Sequence, residues 1–259
     1  MISPNAVAES LTKTSVLRKN LPHSFFLAES GYCYCCEAET DFVSFNPWLR
    51  DNFKCSNCGS IPRERALMKV VNDRFPNWKN MAIHESSPGR RGASALLKKS
   101  CGNYTASQFY PNLELGAKKD EFVNIDLENQ SFEDKRFDIV ITQDVMEHVY
   151  NPEKAFKEIA RTLKPRGAHI FTVPIINKFK ETQVWATLSS NGKPNFLHKP
   201  EYHGNPINEN GSPVTMHWGY DIVSKIKEFC GLNTEIVYID NLKEGIRAEY
   251  IEVLVTRKD

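Results

Sequence analysis

The chain has 259 residues, of which 41% are hydrophobic and 25% are charged. These fractions allow a sizeable hydrophobic core and exclude a chain that is disordered over its whole length. The formal net charge of +1 lacks the strong basic excess of a dedicated nucleic-acid-binding protein, so the charge balance does not indicate a polyanionic partner.

The sequence predicts neither a membrane-spanning nor a secretory segment. No apolar run approaches the roughly 18 residues that a membrane-spanning helix needs. Residues 1–9 lack a basic region followed by an apolar one, so no signal peptide is predicted. We therefore expect a cytoplasmic protein, and in that reducing compartment clustered cysteines are more often metal ligands than disulfides.

The first part of the chain predicts an arm followed by a small cysteine-rich module. Residues 1–25 are polar with weak periodicity, and we expect a short helix or an ordered arm there. Residues 26–62 hold five of the seven cysteines. Residues 63–76 carry apolar side chains at helical spacing, and Pro76 ends that helix. The expected organisation is an arm at 1–25 and a module with its linking helix at 26–76.

Residues 77–259 predict one larger α/β domain. Strands are expected at 81–85, 104–109, 121–125, 137–142 and 168–173, and helices at 93–99 and 152–163. Because strands alternate with helices, we expect right-handed βαβ units and a parallel sheet. A helix at 220–230 precedes strands at 235–239 and 250–256, which suit an antiparallel hairpin at the sheet edge.

The cysteine spacing predicts a zinc site. Cys33-x-x-Cys36 and Cys55-x-x-Cys58 are separated by 18 residues, which is the spacing of a four-cysteine zinc site. Cys35 could replace one member of the first pair, but Cys33 and Cys36 mirror the spacing of the second pair. Four thiolates leave no open position for catalysis, which favours a structural role over contact with a substrate or partner.

The other residues of the module are interpreted as structural. Gly59 follows the second cysteine pair, where the turn needs a residue that tolerates positive φ. Arg63 and Arg65 could bind phosphate, but we expect them to form the solvated start of a helix. The aromatic residues are expected to pack around the zinc site and not to stack on bases: Phe42, Phe45, Trp48 and Phe53.

A glycine-containing turn follows the first strand of the larger domain, with the sequence ESSPGRRG at 85–92. Such a turn lets the backbone approach a ligand and opens a helix at the carboxyl end of a strand, where binding clefts lie in these sheets. By itself the turn is a weak signal, because many similar turns bind nothing.

Further runs make the pattern more specific. The segments FDIVITQDVMEHV at 137–149 and PEKAFKEIARTLKPRG at 152–167, together with the turn, resemble the class I methyltransferases of the "type 11" group over roughly residues 80–175. The chain also resembles, end to end, a narrower set of zinc-knuckle methyltransferases, with ESSP at 85–88 and EYHGNP at 201–206. The resemblance implies a Rossmann-like fold and S-adenosylmethionine as the methyl donor.

The resemblance also implies a set of cofactor-binding residues. In the family the acidic residue and the glycine turn hold the methionine and ribose parts of the cofactor, the carboxylate of Asp126 would lie near the adenine amino group, and Gln143 would line the methyl-transfer cleft. Ser87 replaces the first glycine and could still offer its backbone N–H, while Gln108 replaces the acidic ribose ligand. The predicted cofactor-binding residues are Glu85, Ser87, Pro88, Gly89, Gly92, Gln108, Asp126, Leu127, Gln143, Asp144 and His148.

Simpler roles are open for several residues of this region. Asp144 and Glu147 could favour a helix dipole at a helix start. His148 could be a packing residue. Glu158 and Arg161 are three residues apart, which is the spacing of a surface ion pair on a helix.

Residues 174–219 break the strand–helix alternation and are rich in Pro, Gly, Asn and His. Long irregular segments in compact domains are usually lids or binding loops, so we predict a substrate-loop insertion. A hydroxyl nucleophile needs a proton acceptor, and histidine is the usual one near neutral pH. His203 is the first candidate as base or substrate ligand, His217 is the second, and Asp144 completes the predicted catalytic set.

Two other interpretations of this insertion stay open. His198, His203 and His217 could form a second metal site, although their spacing is not diagnostic. Alternatively, these polar residues only cap and pack a long loop.

The leading functional hypothesis is methylation, most simply on oxygen, of a small molecule or glycan. The zinc-knuckle methyltransferases that the chain resembles occur around secondary-metabolite and surface-carbohydrate pathways. Near-neutral charge argues against the first alternative, an RNA methyltransferase that grips RNA with its zinc module. The second alternative is a non-catalytic adaptor, which the altered glycine turn would favour. No membrane partner is predicted.

Overall fold

The computed structural model of this protein describes residues 26–205 and 208–259, and its first part is a three-stranded antiparallel sheet. The elements are β1 (Leu27–Cys33), β2 (Ala38–Ser44), α1 (Leu49–Asn52), β3 (Lys54–Cys55) and α2 (Pro62–Arg74). β1 pairs with β2 along its full length, and β3 pairs with β2 on the other side. The arm predicted at 1–25 lies outside the described residues.

An eight-stranded sheet forms the centre of the larger domain. Its first elements are β4 (Ala82–Ser86), α3 (Gly92–Ser100), β5 (Asn103–Gln108), β6 (Lys118–Lys119), β7 (Phe122–Asn124), β8 (Phe137–Gln143), α4 (Pro152–Thr162) and β9 (Leu163–Thr172). The order across the sheet is β16-β17-β9-β8-β4-β5-β7-β6, in which β16 (Asn233–Val237) and β17 (Val253–Arg257) follow α5 (Ile222–Cys230).

Strand directions confirm the predicted Rossmann-like α/β architecture. β4 pairs in parallel with β5 on one side and with β8 on the other, and β8 pairs in parallel with β9. β17 is antiparallel to both β16 and β9, which gives the expected antiparallel strand pair at this edge. The strand order reverses beside β4, and ligands bind outside the carboxyl ends of the strands at such a reversal.

The helix α2 joins the two parts of the molecule. Pro62 occupies its first turn, where a missing N–H costs nothing, and the Glu64 carboxylate accepts the Ile61 N–H at 3.0 Å. One continuous hydrophobic cluster includes Phe42 of the module, Met68 of α2 and Ile139 of the sheet. The cysteine module therefore packs on the sheet and shares its core.

Arg65 contradicts the prediction of a solvated helix start. Its side chain is fully buried, with the guanidinium 4.7 Å from the centre of the Phe42 ring. It donates hydrogen bonds to the backbone oxygens of Phe53 at 2.7 Å and of Gly245 at 3.0 Å. Arg65 lies on the face of α2 that packs on the module, and backbone carbonyls compensate the burial of its charge.

The insertion at 174–219 is more ordered than the sequence predicted. It contains three short antiparallel pairs, β10 (Gln183–Val184) with β15 (Met216–His217), β11 (Ala186–Leu188) with β12 (Pro194–Phe196), and β13 (Tyr202–Asn205) with β14 (Asn208–Pro213). The Thr215 N–H donates to the Glu147 backbone oxygen at 2.8 Å, which ties the insertion to the loop after β8. Within the described ranges, no helix has the length and apolar character to cross a bilayer.

Candidate active site

A cleft of about 1490 Å³ lies at the carboxyl ends of the parallel strands. The ends of β4, β5 and β8 form its floor, and the β13–β14 hairpin of the insertion forms one wall. Eight of the predicted site residues line it: Ser87, Gln108, Asp126, Leu127, Gln143, Asp144, His148 and His203. The topology thus brings together residues that are far apart in the sequence.

Glu85 lies behind the cleft and does not line it. Its side chain is fully buried and accepts hydrogen bonds from Ser94 Oγ at 2.6 Å, Tyr104 OH at 2.7 Å and Gln143 Nε2 at 2.8 Å. Burial raises the pKa of this carboxyl group, while the three donors act in the opposite direction. Glu85 therefore holds the Gln143 side chain at the cleft floor.

Two backbone N–H groups of the turn at 87–92 are paired with residues outside the turn. Ser87 has a φ of 53°, and its N–H donates to the Ser107 backbone oxygen at 2.8 Å. The neighbouring strand therefore takes this N–H, and Ser87 meets the cleft with its other atoms. The Gly89 N–H donates to Ser94 Oγ at 2.9 Å. Pro88, Gly89 and Gly92 are absent from the cleft lining among these described residues.

Gly92 is required by a close approach of α2. Its φ is 56°, and a Cβ atom at this position would overlap the Glu64 carboxylate and lie 3.2 Å from Ser60 Cβ. Ser60 Oγ in turn lies 3.4 Å from Cys33 Sγ. The glycine turn and the cysteine module are therefore in direct contact.

The opposite side of the cleft carries groups suited to an adenosyl moiety. Gln108 ends β5, and its backbone oxygen accepts the Ile125 N–H at 3.1 Å, which brings the end of β7 beside it. Asp126 Oδ1 accepts the Glu128 N–H at 2.9 Å. A carboxamide and a carboxylate at neighbouring strand ends can accept hydrogen bonds from ribose hydroxyls and an exocyclic amine, so the residues present fit the cofactor.

Asp144 is held as an anion at the end of β8. Its φ is 52°, a strained value of the kind that clusters at functional sites. Oδ2 lies 2.7 Å from Arg50 Nη2 and 2.9 Å from Arg63 Nε, and Thr172 Oγ1 donates to Oδ1 at 2.9 Å. Although burial acts against the charged form, Arg63 and Arg50 lower the pKa of Asp144 to about 2. Its carboxylate is therefore a weak proton acceptor near neutral pH.

The N-terminal module contributes part of the cleft wall, which the sequence did not predict. Trp48, Arg50 and Arg63 line the cleft together with Tyr250. Arg63 was predicted to be solvated, but its side chain is only 18% exposed because it reaches Asp144. No local sequence signal connects residues about 90 positions apart, so only the fold reveals this contact.

Histidines and carboxylates cluster at the insertion side of the cleft. Glu147 Oε1 lies 3.6 Å from His203 Nδ1 and 3.8 Å from His148 Nε2. Glu201 Oε1 lies 3.5 Å from His203 Nε2, and its other oxygen lies 3.0 Å from His217 Nε2. The Glu147 carboxylate raises the pKa of His203.

The two remaining histidines of the insertion are placed differently. The rings of His198 and His217 stack against Trp185, with ring centres 4.2 Å and 3.7 Å from it, and neither histidine lines the cleft. The structure thus groups His203 with Glu147 and His148, and not with His198 and His217 as the alternative metal site required.

The cysteine module has the geometry of a metal site. The sulfur atoms of Cys33, Cys36, Cys55 and Cys58 lie within 4.8 Å of one another, and the 33–58 and 36–55 pairs are 3.8 Å apart. Four thiolates around zinc at 2.3 Å would be about 3.8 Å apart. The buried Cys35 is outside this group. Gly59 has a φ of 68°, as the turn after the second pair was predicted to need.

Comparison with known proteins gives one family match. Residues 87–171 match the family model described as "Methyltransferase domain". The match falls within the segment for which the sequence predicted a class I methyltransferase, and it confirms that resemblance. No curated protein matches the chain.

Several solved structures are similar to the chain. An S-adenosylmethionine-dependent methyltransferase from Mesorhizobium loti is 11% identical, with a TM-score of 0.46 over 74% of this chain and 98% of its own. The 1,6-didemethyltoxoflavin-N1-methyltransferase from Burkholderia thailandensis is 14% identical, with a TM-score of 0.47 over 76% and 78%. The structure of a Haloferax volcanii complex between the Trm112 methyltransferase activator and a methyltransferase gives 15% identity and a TM-score of 0.47 over 76% and 89%.

Proposed function

We propose that this chain, which is an S-adenosylmethionine-dependent methyltransferase, methylates a hydroxyl oxygen of a small molecule or glycan, in secondary-metabolite or surface-carbohydrate biosynthesis. The observation that carries the proposal is the placement of His203 and His148 beside Glu147 in the same cleft as Gln108 and Asp126. One end of the cleft suits the donor, and the other suits deprotonation of an alcohol.

The donor end is assigned as follows. Gln108 would bind the ribose hydroxyls, and Asp126 the adenine amino group, with Leu127 packing against the base. Gln143 would face the methionine part, because its amide is held from behind by Glu85. The remaining predicted residues of the turn would act by fixing its shape: Pro88, Gly89 and Gly92.

The reaction at the acceptor end is an in-line displacement. The acceptor hydroxyl oxygen attacks the methyl carbon, the carbon–sulfur bond breaks, and its electron pair returns to sulfur, which leaves as S-adenosylhomocysteine. The hydroxyl proton departs to a neighbouring acceptor. His203 serves as that base or as a ligand that orients the acceptor. Asp144 is better suited to hold the cleft wall through Arg50 and Arg63, because its pKa of about 2 makes it a poor base.

Zinc bound by Cys33, Cys36, Cys55 and Cys58 would hold the module in shape and, through Ser60 and Gly92, the glycine turn as well. Thiolate ligands of this kind suit a reducing compartment such as the cytoplasm.

The two alternatives have less support. The cleft arginines that could contact RNA phosphates, Arg50 and Arg63, are both paired with Asp144. A non-catalytic adaptor would have no need for the hydrogen-bonding residues Gln108 and Asp126 at the cleft.

Two measurements test the proposed function. Calorimetry with S-adenosylhomocysteine should give saturable binding, and Asp126→Ala should weaken it. Labelled S-adenosylmethionine, incubated with panels of polyols, phenols, amines and oligonucleotides, should transfer label to a hydroxyl compound, with the methyl position assigned by mass spectrometry. His203→Gln should reduce that transfer while leaving S-adenosylhomocysteine binding intact, and the exposed His198→Gln is the matched control. Label found only on amines or RNA would contradict the proposal.

A further inference from the structure

A second group of side chains that could hold a metal ion lies at the acceptor end of the cleft, separate from the cysteines. It consists of Glu147, His148 and His203, whose ligand atoms lie within 4.8 Å of one another. The two histidines line the cleft, and Glu147 is buried beside them. The Glu147 carboxylate is 3.6 Å from one imidazole and 3.8 Å from the other, too far for hydrogen bonds. Two ligands bound to one ion at 2.1 Å would be about 3.4 Å apart at a tetrahedral angle, so a cation fits with small side-chain shifts.

Glu147 points independently to a ligand. Its side chain is 2% exposed, and neither carboxylate oxygen has a hydrogen-bond partner among the residues that the structure describes. Its backbone oxygen is fixed by the N–H and the hydroxyl of Thr215, so the side chain cannot leave the interior easily. A buried carboxylate without a hydrogen-bond partner is costly, and a bound cation would remove that cost.

Each of the two imidazole rings has an acceptor at the nitrogen that faces away from Glu147. His148 Nδ1 lies 2.8 Å from the Pro213 backbone oxygen, so Nδ1 carries the proton and Nε2 presents a lone pair towards Glu147. His203 Nε2 faces the Glu201 carboxylate, which leaves Nδ1 directed at Glu147. A carbonyl or carboxylate behind the far nitrogen is the usual arrangement of a histidine that binds a metal.

We propose that Glu147, His148 and His203 bind a divalent transition-metal ion whose remaining positions take two neighbouring oxygens of the acceptor, as in a vicinal diol or a catechol. This inference rests on the proposed O-methylation. Two nitrogens and one carboxylate with open positions suit Mn²⁺, Fe²⁺, Co²⁺ or Zn²⁺, whereas Mg²⁺ and Ca²⁺ prefer oxygen ligands.

The ion would supply the deprotonation step. It binds the acceptor hydroxyl and lowers its pKa, so the proton leaves to solvent and the bound alkoxide attacks the methyl carbon. The products are a methyl ether, S-adenosylhomocysteine and one proton. His203 would then act as a ligand, which is the second of the two roles considered for it above.

Manganese binding tests the inference without relying on activity. The full chain, brought to one zinc per molecule and freed of weakly held ions on a chelating resin, is titrated with MnCl₂ while free Mn²⁺ is followed by electron paramagnetic resonance. We expect one Mn²⁺ per chain beyond the zinc. Glu147→Gln and His203→Gln should bind Mn²⁺ at least tenfold more weakly with zinc retained, and His198→Gln should match the wild type.

Lack of saturable Mn²⁺ binding by the wild type would overturn the inference, as would unchanged affinity in Glu147→Gln or His203→Gln. If Glu147→Gln misfolds and loses its zinc, the Mn²⁺ affinity of His203→Gln decides the test. This variant should still fold, because His203 lies on a hairpin strand and its side chain is only half-buried. Undiminished formation of methyl ether by stripped, zinc-retaining protein would overturn the cation site and leave O-methylation standing. Mn²⁺ binding at the trio, with label transferred only to amines, would leave the site standing and refute O-methylation.

Discussion

Replacing Gly92 with alanine tests the contact between the cysteine module and the glycine turn. A side chain at its φ of 56° costs about 1–2 kcal/mol. The new Cβ would also displace the Glu64 carboxylate, which would lose its hydrogen bond to the Ile61 N–H. A hydrogen bond to a charged group contributes about 1.5–3 kcal/mol, so the expected total loss is about 2.5–5 kcal/mol.

A double-mutant cycle separates the two contributions. In a Glu64→Ala background the obstructing carboxylate is gone, so Gly92→Ala should cost mainly the backbone share of about 1–2 kcal/mol, with Ser60 Cβ at 3.2 Å as the remaining close neighbour. The expected coupling between positions 64 and 92 is therefore about 1.5–3 kcal/mol. Urea unfolding of zinc-saturated protein, followed by circular dichroism and tryptophan fluorescence, gives the four free energies.

Gly102→Ala is the matched control. A Cβ atom there has no heavy atom within 4 Å, and its φ is not in the left-handed region. This variant should be as stable as the wild type or about 0.4–1 kcal/mol more stable. Equal free energies for the two alanine variants, or the same cost of Gly92→Ala in both backgrounds, would refute the reasoning.

Four further predictions concern the cleft and the cysteine site. Asp126→Ala should weaken S-adenosylhomocysteine binding by roughly 10–100-fold, the equivalent of one charge-assisted hydrogen bond, in protein that is still folded by circular dichroism. An affinity within about twofold of wild type would remove Asp126 from the donor site. Arg63→Met should destabilise the fold by roughly 1–3 kcal/mol in urea, less than a fully broken buried pair because Arg50 remains, and Asp144→Asn should suppress that cost. Since the pKa of Asp144 is lowered to about 2, the stability that its ion pairs contribute is present above the unfolded pKa near 4 and is lost only as pH falls towards 2. Besides Glu147, the Asp144 carboxylate also raises the pKa of His203, so the comparison is made in a His203→Gln background. There the stability difference between the His203→Gln variant and its Asp144→Asn derivative should be flat from pH 5 to 8, and a slope in that window would contradict the assignment. Cys58→Ser should lower the zinc content below one ion per chain and the melting temperature with it, as measured by metal analysis and calorimetry.

Local sequence patterns predicted the main strands and helices of the protein well. The apolar run at 137–142 became β8, and the amphipathic spacing after Pro152 became α4, because their periodicities match the surfaces they bury. The surface pair Glu158 and Arg161 is also confirmed, with nitrogen–oxygen distances of 2.7 and 2.8 Å. These features depend on neighbours within a few positions, which a sequence displays directly.

Features that depend on distant partners were missed. Arg63 and Arg65 look alike as exposed residues of a helix start, yet one reaches Asp144 and the other is buried beneath Gly245. Their environments depend on how α2 packs against the sheet, which residue type alone does not determine. The short strand pairs of the insertion escaped prediction for a related reason, because they are two to six residues long and one of them is anchored through Thr215.

The arginines of the N-terminal module have a practical consequence for anyone who engineers this enzyme. Because Arg50 and Arg63 line the cleft, removing the cysteine module would also remove part of the cleft wall. With zinc bound at the four cysteines, as proposed above, an oxidant that attacks the thiolates or a shortage of zinc during synthesis would also change the shape of the cleft. Metal supply would then affect methyl transfer through the arginines that the module contributes to the cleft wall.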